Sequence, residues 1–143
     1  DLPPGSLLLC DGALRDEGTS YHYIPAGGLA RPDAGLTDRL GKALASHGLA
    51  CRRGPTWTTD AIYRETAGEV ELFRTEGALV VEMEASALFS VATYRGIELA
   101  ACFSVSDTLA ELAWRPEFHA ETTEDGLKRI FEAALEVLQA PAG

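Results

Sequence analysis

The stretch Val80-Val81-Glu82-Met83-Glu84-Ala85-Ser86, followed further on by Phe103-Ser104-Val105-Ser106-Asp107, decides the fold. Residues 78–81 are a short apolar run that ends on two carboxylates. Residues 84–94 carry a helical pattern that closes at Gly96, and residues 97–105 are the most apolar segment of the chain. A buried strand, a helix and a second buried strand in that order are the repeating unit of an α/β domain. Outward from this unit the alternation continues. Residues 6–10, after Pro3-Pro4-Gly5, read as a buried strand, and residues 49–57 as another. Residues 33–47 place Leu36, Leu40, Ala43 and Leu44 on one helical face, with Gly48 as the stop. Thr58-Thr59-Asp60 offers caps for a turn or short helix. Residues 69–75 read as a helix ending at Gly77, and residues 11–32, rich in glycine, aspartate and aromatic residues, as a long loop. Thr122-Thr123-Glu124-Asp125 opens a last amphipathic helix with Leu127, Ile130, Phe131, Ala134, Leu135 and Leu138 on one face. The expected fold class is α/β, a central mostly parallel or mixed sheet flanked by helices.

Composition bounds what such a domain does. With 143 residues, 46% of them apolar and 24% charged, the chain is long enough to bury a core. Its net charge of −10 leaves no lysine and arginine stripe for a polyanion, so no nucleic-acid partner is expected. No apolar run approaches the roughly 20 residues of a membrane helix and no secretory signal is present, which gives an expectation of a cytoplasmic protein with no membrane partner. Cys10, Cys51 and Cys102 form no CxxC pair and are expected as reduced thiols. His22, His47 and His119 are too dispersed for a metal site, so no metal is expected.

The acidic residues carry the chemistry. A vicinal diol presents two donors, and an ionised carboxylate accepts both through charge-assisted hydrogen bonds. Glu84 at a helix start sits where the helix dipole favours negative charge. Met83 offers a soft apolar surface for a sugar face. The competing reading of Glu82 and Glu84 is an ordinary acidic helix start. Asp107 ends a buried strand, where partial desolvation favours the neutral form and suits a general acid; its plainer reading is a turn cap. Both sites follow apolar strands, so they are expected to meet on one edge of a parallel arrangement.

These residues resemble a known signature. Glu82-Met83-Glu84 is similar to the Glu-Met-Glu motif of the purine nucleoside and uridine phosphorylase family, which also includes nucleosidases. Ser106-Asp107 is similar to the Ser-Asp of its purine-specific branch. Thr58-Thr59-Asp60-Ala61-Ile62-Tyr63 resembles the family's base-pocket segment, with Ile62 where many members carry a stacking aromatic residue, so that stacking moves to Tyr63 or the pocket is aliphatic. Leu14-Arg15-Asp16-Glu17-Gly18-Thr19-Ser20-Tyr21-His22-Tyr23 resembles a further loop of the family. The resemblance implies ribose binding by Glu82, Met83 and Glu84, base binding by Ile62, Tyr63 and Ser106, and protonation of purine N7 by Asp107. It implies a phosphorolytic cleavage of a purine nucleoside to free base and ribose 1-phosphate, with phosphate as co-substrate and no cofactor.

The resemblance also has a gap. The family's phosphate site is built from a glycine-rich loop, arginines and a Gly-Ser/Thr-x-Gly segment upstream of the matched region, and this sequence contains none of them. Residues 1–143 are therefore expected to be the C-terminal part of a single nucleoside phosphorylase-like domain without its N-terminal strands. The expected partners are a purine nucleoside, phosphate, and either further copies in a homo-oligomer or a polypeptide supplying the missing part. Hydrolysis in place of phosphorolysis, and nucleoside binding without turnover, remain open alternatives. Arg115 is the nearest counterpart of an arginine that assists the aspartate in some members. Ser86 lacks a nucleophile elbow and is expected as a helix residue packed near the site. Trp57 and Trp114 are expected to pack in the core or at an edge.

Overall fold

The computed structural model describes residues 2–108, 115–116 and 121–140, the pair 115–116 in its backbone only. Trp114, His119 and the side chain of Arg115 lie outside the described residues. A four-stranded mixed sheet runs in the order β3-β2-β1-β4, with β1 at Leu7–Asp16, β2 at Cys51–Thr59, β3 at Val80–Glu82 and β4 at Cys102–Ser104. The first three strands are parallel to one another, and β4 is antiparallel to β1. Among the described residues, four helices flank the sheet: α1 at Ala34–Ser46, α2 at Ala67–Thr75, α3 at Ala85–Arg95 and α4 at Glu121–Gln139. A two-residue pairing of β5 (Asp107–Thr108) with β6 (Arg115–Pro116) follows β4.

The local sequence explains the helix limits. Asp33 Oδ1 accepts from Leu36 N at 2.7 Å and starts α1. Thr66 and Glu69 close a reciprocal capping box at the start of α2. Gly96, at φ 65°, ends α3 in the left-handed conformation that other residues resist. Leu7 and Leu9 face a core formed with Leu40, Ala43 and Leu44 of α1 and Ala133 of α4. Cys10 and Ala13 face a second cluster around the fully buried Phe89 of α3. All three cysteines are free thiols.

Three expectations need correction. The strand beginning near residue 6 does not end at Cys10. It passes through a register shift between Cys10 and Gly12 and pairs on as far as Asp16 with Thr59. A bulge absorbs one residue and changes the parity of the strand, so that Ala13 rather than Gly12 continues the buried face of Cys10. Arg15 and Glu17 follow Ala13 on alternate residues, and both are buried. The loop expected over residues 11–32 therefore starts only after Asp16.

Second, β4 does not run parallel. After Gly96 the chain passes the start of α1, where Leu99 O accepts from Asp33 N at 2.8 Å, and meets β1 part-way along, where Ala101 O accepts from Cys10 N at 2.9 Å. From there it heads towards Leu7, which pairs with Ser104. Third, α4 buries only part of the expected face: Ile130 and Ala134 pack against the core, whereas Leu127, Phe131, Leu135 and Leu138 are 53%, 63%, 38% and 71% exposed. It seats on Thr123, Gly126, Ile130, Ala133 and Val137. Gly126 permits this approach, since a Cβ there would lie 2.5 Å from Ser104 Oγ and 3.3 Å from Leu7 Cδ2.

Candidate active site

The C-terminal ends of the three parallel strands lie side by side, with Arg15 paired to Thr58 and Thr58 to Glu82. This is the edge of an α/β sheet where ligands bind, because the loops and helix starts that follow the strands converge there. Glu82 ends β3 as a hydrogen-bond hub. One of its oxygens accepts from Thr56 Oγ1 at 3.0 Å and from Thr58 Oγ1. The other accepts from the backbone N–H of Glu84 at 2.7 Å and of Ala85 at 2.6 Å. Ser86 N donates to Thr58 Oγ1 at 3.0 Å. The first N–H groups of α3, which a helix leaves without internal partners, are thus satisfied by β2 and β3.

That division of labour separates the two glutamates. Glu82 is occupied by protein donors, while Glu84, at the N-cap of α3, makes no side-chain capping bond and is exposed. Glu82 does the capping that an N-cap side chain would ordinarily do, and the Glu84 carboxylate is left to face outward beside Met83, itself 42% exposed.

The segment after β2 closes another side of this edge. Thr59 Oγ1 accepts from Ala61 N at 3.3 Å, and Asp60 Oδ2 accepts from Gly18 N at 3.0 Å, tying the segment to the turn after β1. A 3₁₀ turn at Ile62–Arg64 follows, with Ile62 46% and Tyr63 99% exposed. An open groove of about 270 Å³ runs between Arg15, Asp16, Glu17, Tyr21 and Asp60. Arg15 does not offer its charge to this groove. Its guanidinium donates to Ser20 Oγ at 2.9 Å, Pro25 O at 2.7 Å and Gly27 O at 3.2 Å, and stacks over Tyr21 at 4.3 Å. Trp57 belongs to the core: it stacks on Phe73 at 4.4 Å and donates to Asp16 Oδ2 at 2.9 Å.

Ser106 and Asp107 follow β4, on a different strand end from Glu82. Ser106 Oγ donates to Asp107 Oδ1 at 2.9 Å, and both residues are half-buried. Because β4 is antiparallel, its C-terminal end lies by Leu7, whereas Glu82 lies in register with Thr58 and Arg15 near the far end of β1. The expected meeting on one parallel edge therefore does not occur. What links Asp107 to the site is its field. The Glu65 carboxyl, which follows the 3₁₀ turn, is held above its ordinary range by burial first, and then by the negative charges of Asp107 and Glu69.

Glu17 is a residue that the sequence reading did not single out. It is 7% exposed; one oxygen accepts from Thr19 N at 2.6 Å and Ser20 N at 2.9 Å, the other from Ser86 Oγ at 2.7 Å. Burial alone would raise its carboxyl, but the hydrogen bonds from Ser20, Ser86 and Thr19 outweigh burial and hold it below the usual range. The available signal was the sequence Glu17-Gly18-Thr19-Ser20, a carboxylate two and three residues ahead of free N–H groups. Among the described residues, no group of three or more histidine, cysteine or carboxylate side chains could hold a metal ion, and no helix is long and apolar enough to cross a membrane.

The sequence pattern of the phosphorylase superfamily matches residues 1–139. The chain belongs to that superfamily. A guanosine phosphorylase of Halorubrum lacusprofundi is 29% identical over 109 residues, which are 76% of this chain and 45% of that protein. A DeoD-type purine nucleoside phosphorylase of Clostridium novyi is 27% identical over 142 residues, 97% of this chain and 59% of that protein. Among solved structures, the purine nucleoside phosphorylase of Toxoplasma gondii superposes with a TM-score of 0.80 at 18% identity, covering 95% of this chain and 56% of the other. AMP nucleosidase of Bacteroides thetaiotaomicron superposes with a TM-score of 0.75 at 25% identity, covering 95% and 56%. This phosphorylase-superfamily chain thus has the superfamily's fold, and it spans about half the length of the curated relatives it matches.

Proposed function

We propose that this chain supplies the nucleoside-gripping part of an enzyme that cleaves the N-glycosidic bond of a purine nucleoside with phosphate. The observation that carries this reading is the free Glu84 carboxylate, presented by a helix start whose own N–H groups are already capped by Glu82 and Thr58. A carboxylate that makes no capping bond to its own helix, beside an exposed methionine, can accept both hydroxyls of a ribose 2′,3′-diol. Glu82 acts behind it as a positioning residue. The base lies towards Ile62 and Tyr63.

In the proposed reaction a phosphate oxygen attacks C1′, the bond from C1′ to the base nitrogen breaks, and its electron pair passes to the purine. Asp107, steadied by Ser106, donates a proton to N7 so that the base leaves neutral, and ribose 1-phosphate forms. Support for the Asp107 role comes from its Ser-Asp sequence and its electrostatic reach to Glu65 next to the base segment. The names of the guanosine and purine nucleoside phosphorylase relatives favour a purine. Arg15 is not offered to the phosphate, since its guanidinium is spent on Ser20 and backbone carbonyls. The likeness to an AMP nucleosidase favours a second reading, hydrolysis, in which water replaces phosphate as the nucleophile.

Asp107→Asn tests the proton transfer. General acid help contributes roughly 10²–10⁴ in rate, or about 3–5 kcal/mol. Release of hypoxanthine from inosine is expected to slow by that factor while the affinity for inosine changes only a few-fold. Equal losses in rate and affinity would remove Asp107 from the donor role.

A further inference from the structure

We infer that Glu17 is a positioning residue for Glu84: a buried carboxylate that bolts the first turn of α3 to the end of β1 and thereby fixes where the sugar-gripping carboxylate points. The inference rests on the proposed function of Glu84 and concerns how that site is held.

Three strand ends take part. Glu17, just beyond β1, accepts from Ser86 Oγ at 2.7 Å. Ser86 is fully buried in the first turn of α3, two residues after Glu84. Its N–H donates to Thr58 Oγ1 on β2 at 3.0 Å, and Thr58 in turn donates to Glu82 on β3. Glu82 then holds the N–H of Glu84 itself at 2.7 Å. One continuous hydrogen-bonded row therefore runs from the turn after β1 to the backbone of Glu84.

The other side of Glu17 is equally fixed. Its second oxygen binds Thr19 N and Ser20 N, and Ser20 Oγ is pinned by the Arg15 guanidinium at 2.9 Å. Ser90 Oγ donates to Ser86 O at 2.6 Å one turn along α3, so Ser86 is held from both directions.

Burying a carboxylate costs several kcal/mol unless hydrogen bonds replace its water. Apolar contacts alone would pack α3 on the sheet without that cost, as Phe89 does on Cys10 and Ala13. What directional bonds add, and apolar packing does not, is control of rotation about the helix axis. A side-chain group about 6 Å from the axis moves by roughly 1 Å for a 10° rotation. A misplacement of about 1 Å at a reacting centre can cost roughly 10²-fold. The bulge at Asp11 is the sequence feature that makes this possible, because it sets Arg15 and Glu17 on the α3 side of β1.

The test compares inosine with 2′-deoxyinosine, which lacks one of the two hydroxyls that Glu84 is proposed to hold. Binding of each is measured by calorimetry on the wild-type protein, Glu17→Ala, Glu17→Gln and Ser86→Ala, with folding checked by circular dichroism. The wild type is expected to prefer inosine. Glu17→Ala is expected to lose at least tenfold of that preference while binding 2′-deoxyinosine almost as before. Glu17→Gln is expected to retain it, because the amide oxygen can accept from Thr19 and Ser20 while the amide N–H donates to Ser86 Oγ. Ser86→Ala removes only a hydroxyl and carries the same expectation as Glu17→Ala, even if the latter does not fold, and the two losses are expected not to add. A full preference retained by Glu17→Ala or Ser86→Ala overturns the positioning role and leaves the proposed function standing. A wild-type protein that binds neither nucleoside, or both alike, overturns the proposed role of Glu84 and this inference with it.

Discussion

Replacing Glu82 by alanine tests most sharply how the site is held. The substitution removes the acceptor of four hydrogen bonds, from Thr56 Oγ1, Thr58 Oγ1, Glu84 N and Ala85 N. The Glu84 N–H is exposed and the Ala85 N–H part-buried at the helix start, where losing a cap costs about 1 kcal/mol. The two threonine hydroxyls are a different matter, since Thr56 and Thr58 are fully buried. Each buried donor left without a partner costs about 1–3 kcal/mol. Thr56 can turn part-way towards Cys10 Sγ, 3.8 Å away, which limits its share. The expected loss is about 3–5 kcal/mol, out of a total stability of about 5–15 kcal/mol for a domain. For a chain of this size that corresponds to a fall of roughly 10–17 °C in Tm. Glu82→Gln keeps one accepting oxygen and is expected to lose about half as much. Urea unfolding followed by far-UV circular dichroism measures both variants. A loss below about 1 kcal/mol for Glu82→Ala would refute the reasoning, because water would then be replacing the carboxylate at no cost.

Two further predictions concern packing and pH. Gly126→Ala replaces a poor helix former, which on propensity alone favours the helix by about 1 kcal/mol, but it brings a Cβ to 2.5 Å from Ser104 Oγ. Net destabilisation is expected, with Ser104 forced to give up its 3.2 Å bond to Thr123 O; the double variant Gly126→Ala/Ser104→Ala is expected to recover stability in thermal melts. Glu65 has a carboxyl raised by burial and by the charges of Asp107 and Glu69, so its contribution to stability is fully present below its unfolded value near 4.5 and is lost as pH rises through the folded value. Glu65→Gln is therefore expected to raise Tm at pH 7 and to leave it unchanged at pH values below 4.5, where the wild-type group is already neutral.

The order of elements was legible because each carries its own signal. Asp33 and Gly96 stand at helix ends where the structure has them, whereas the helix expected from residue 69 starts two residues earlier, after Thr66, and the segments near residues 7–10, 51–57 and 80–81 lie in strands. Strand direction was not legible, since nothing in the apolar segment at residues 97–105 distinguishes a parallel from an antiparallel neighbour. Its direction follows from where the chain meets the start of α1, through Leu99 to Asp33, and β1, through Ala101 to Cys10, and these are contacts remote in sequence. The bulge was hidden for a similar reason. Asp11 and Gly12 look like the start of a loop, and only pairing with β2 carries the strand past them. On α4 the largest apolar residues suggested the buried face, yet small residues at Gly126 and Ala133 allow the closer approach that decides it. At the site, Glu82-Met83-Glu84 was visible as a group, but spacing could not separate the capped carboxylate from the free one. Glu17 was hidden because its partner Ser86 lies far along the chain.

The measurement closest to the proposed chemistry is the fate of inosine in the presence and absence of phosphate, with hypoxanthine followed by absorbance and the sugar product by chromatography. Phosphorolysis predicts hypoxanthine and ribose 1-phosphate in equal amounts, only when phosphate is present, and slowed strongly by Asp107→Asn. Free ribose formed at a rate indifferent to phosphate would contradict phosphorolysis in favour of hydrolysis, and no release of base under either condition would contradict the assignment of N-glycosidic cleavage to this chain.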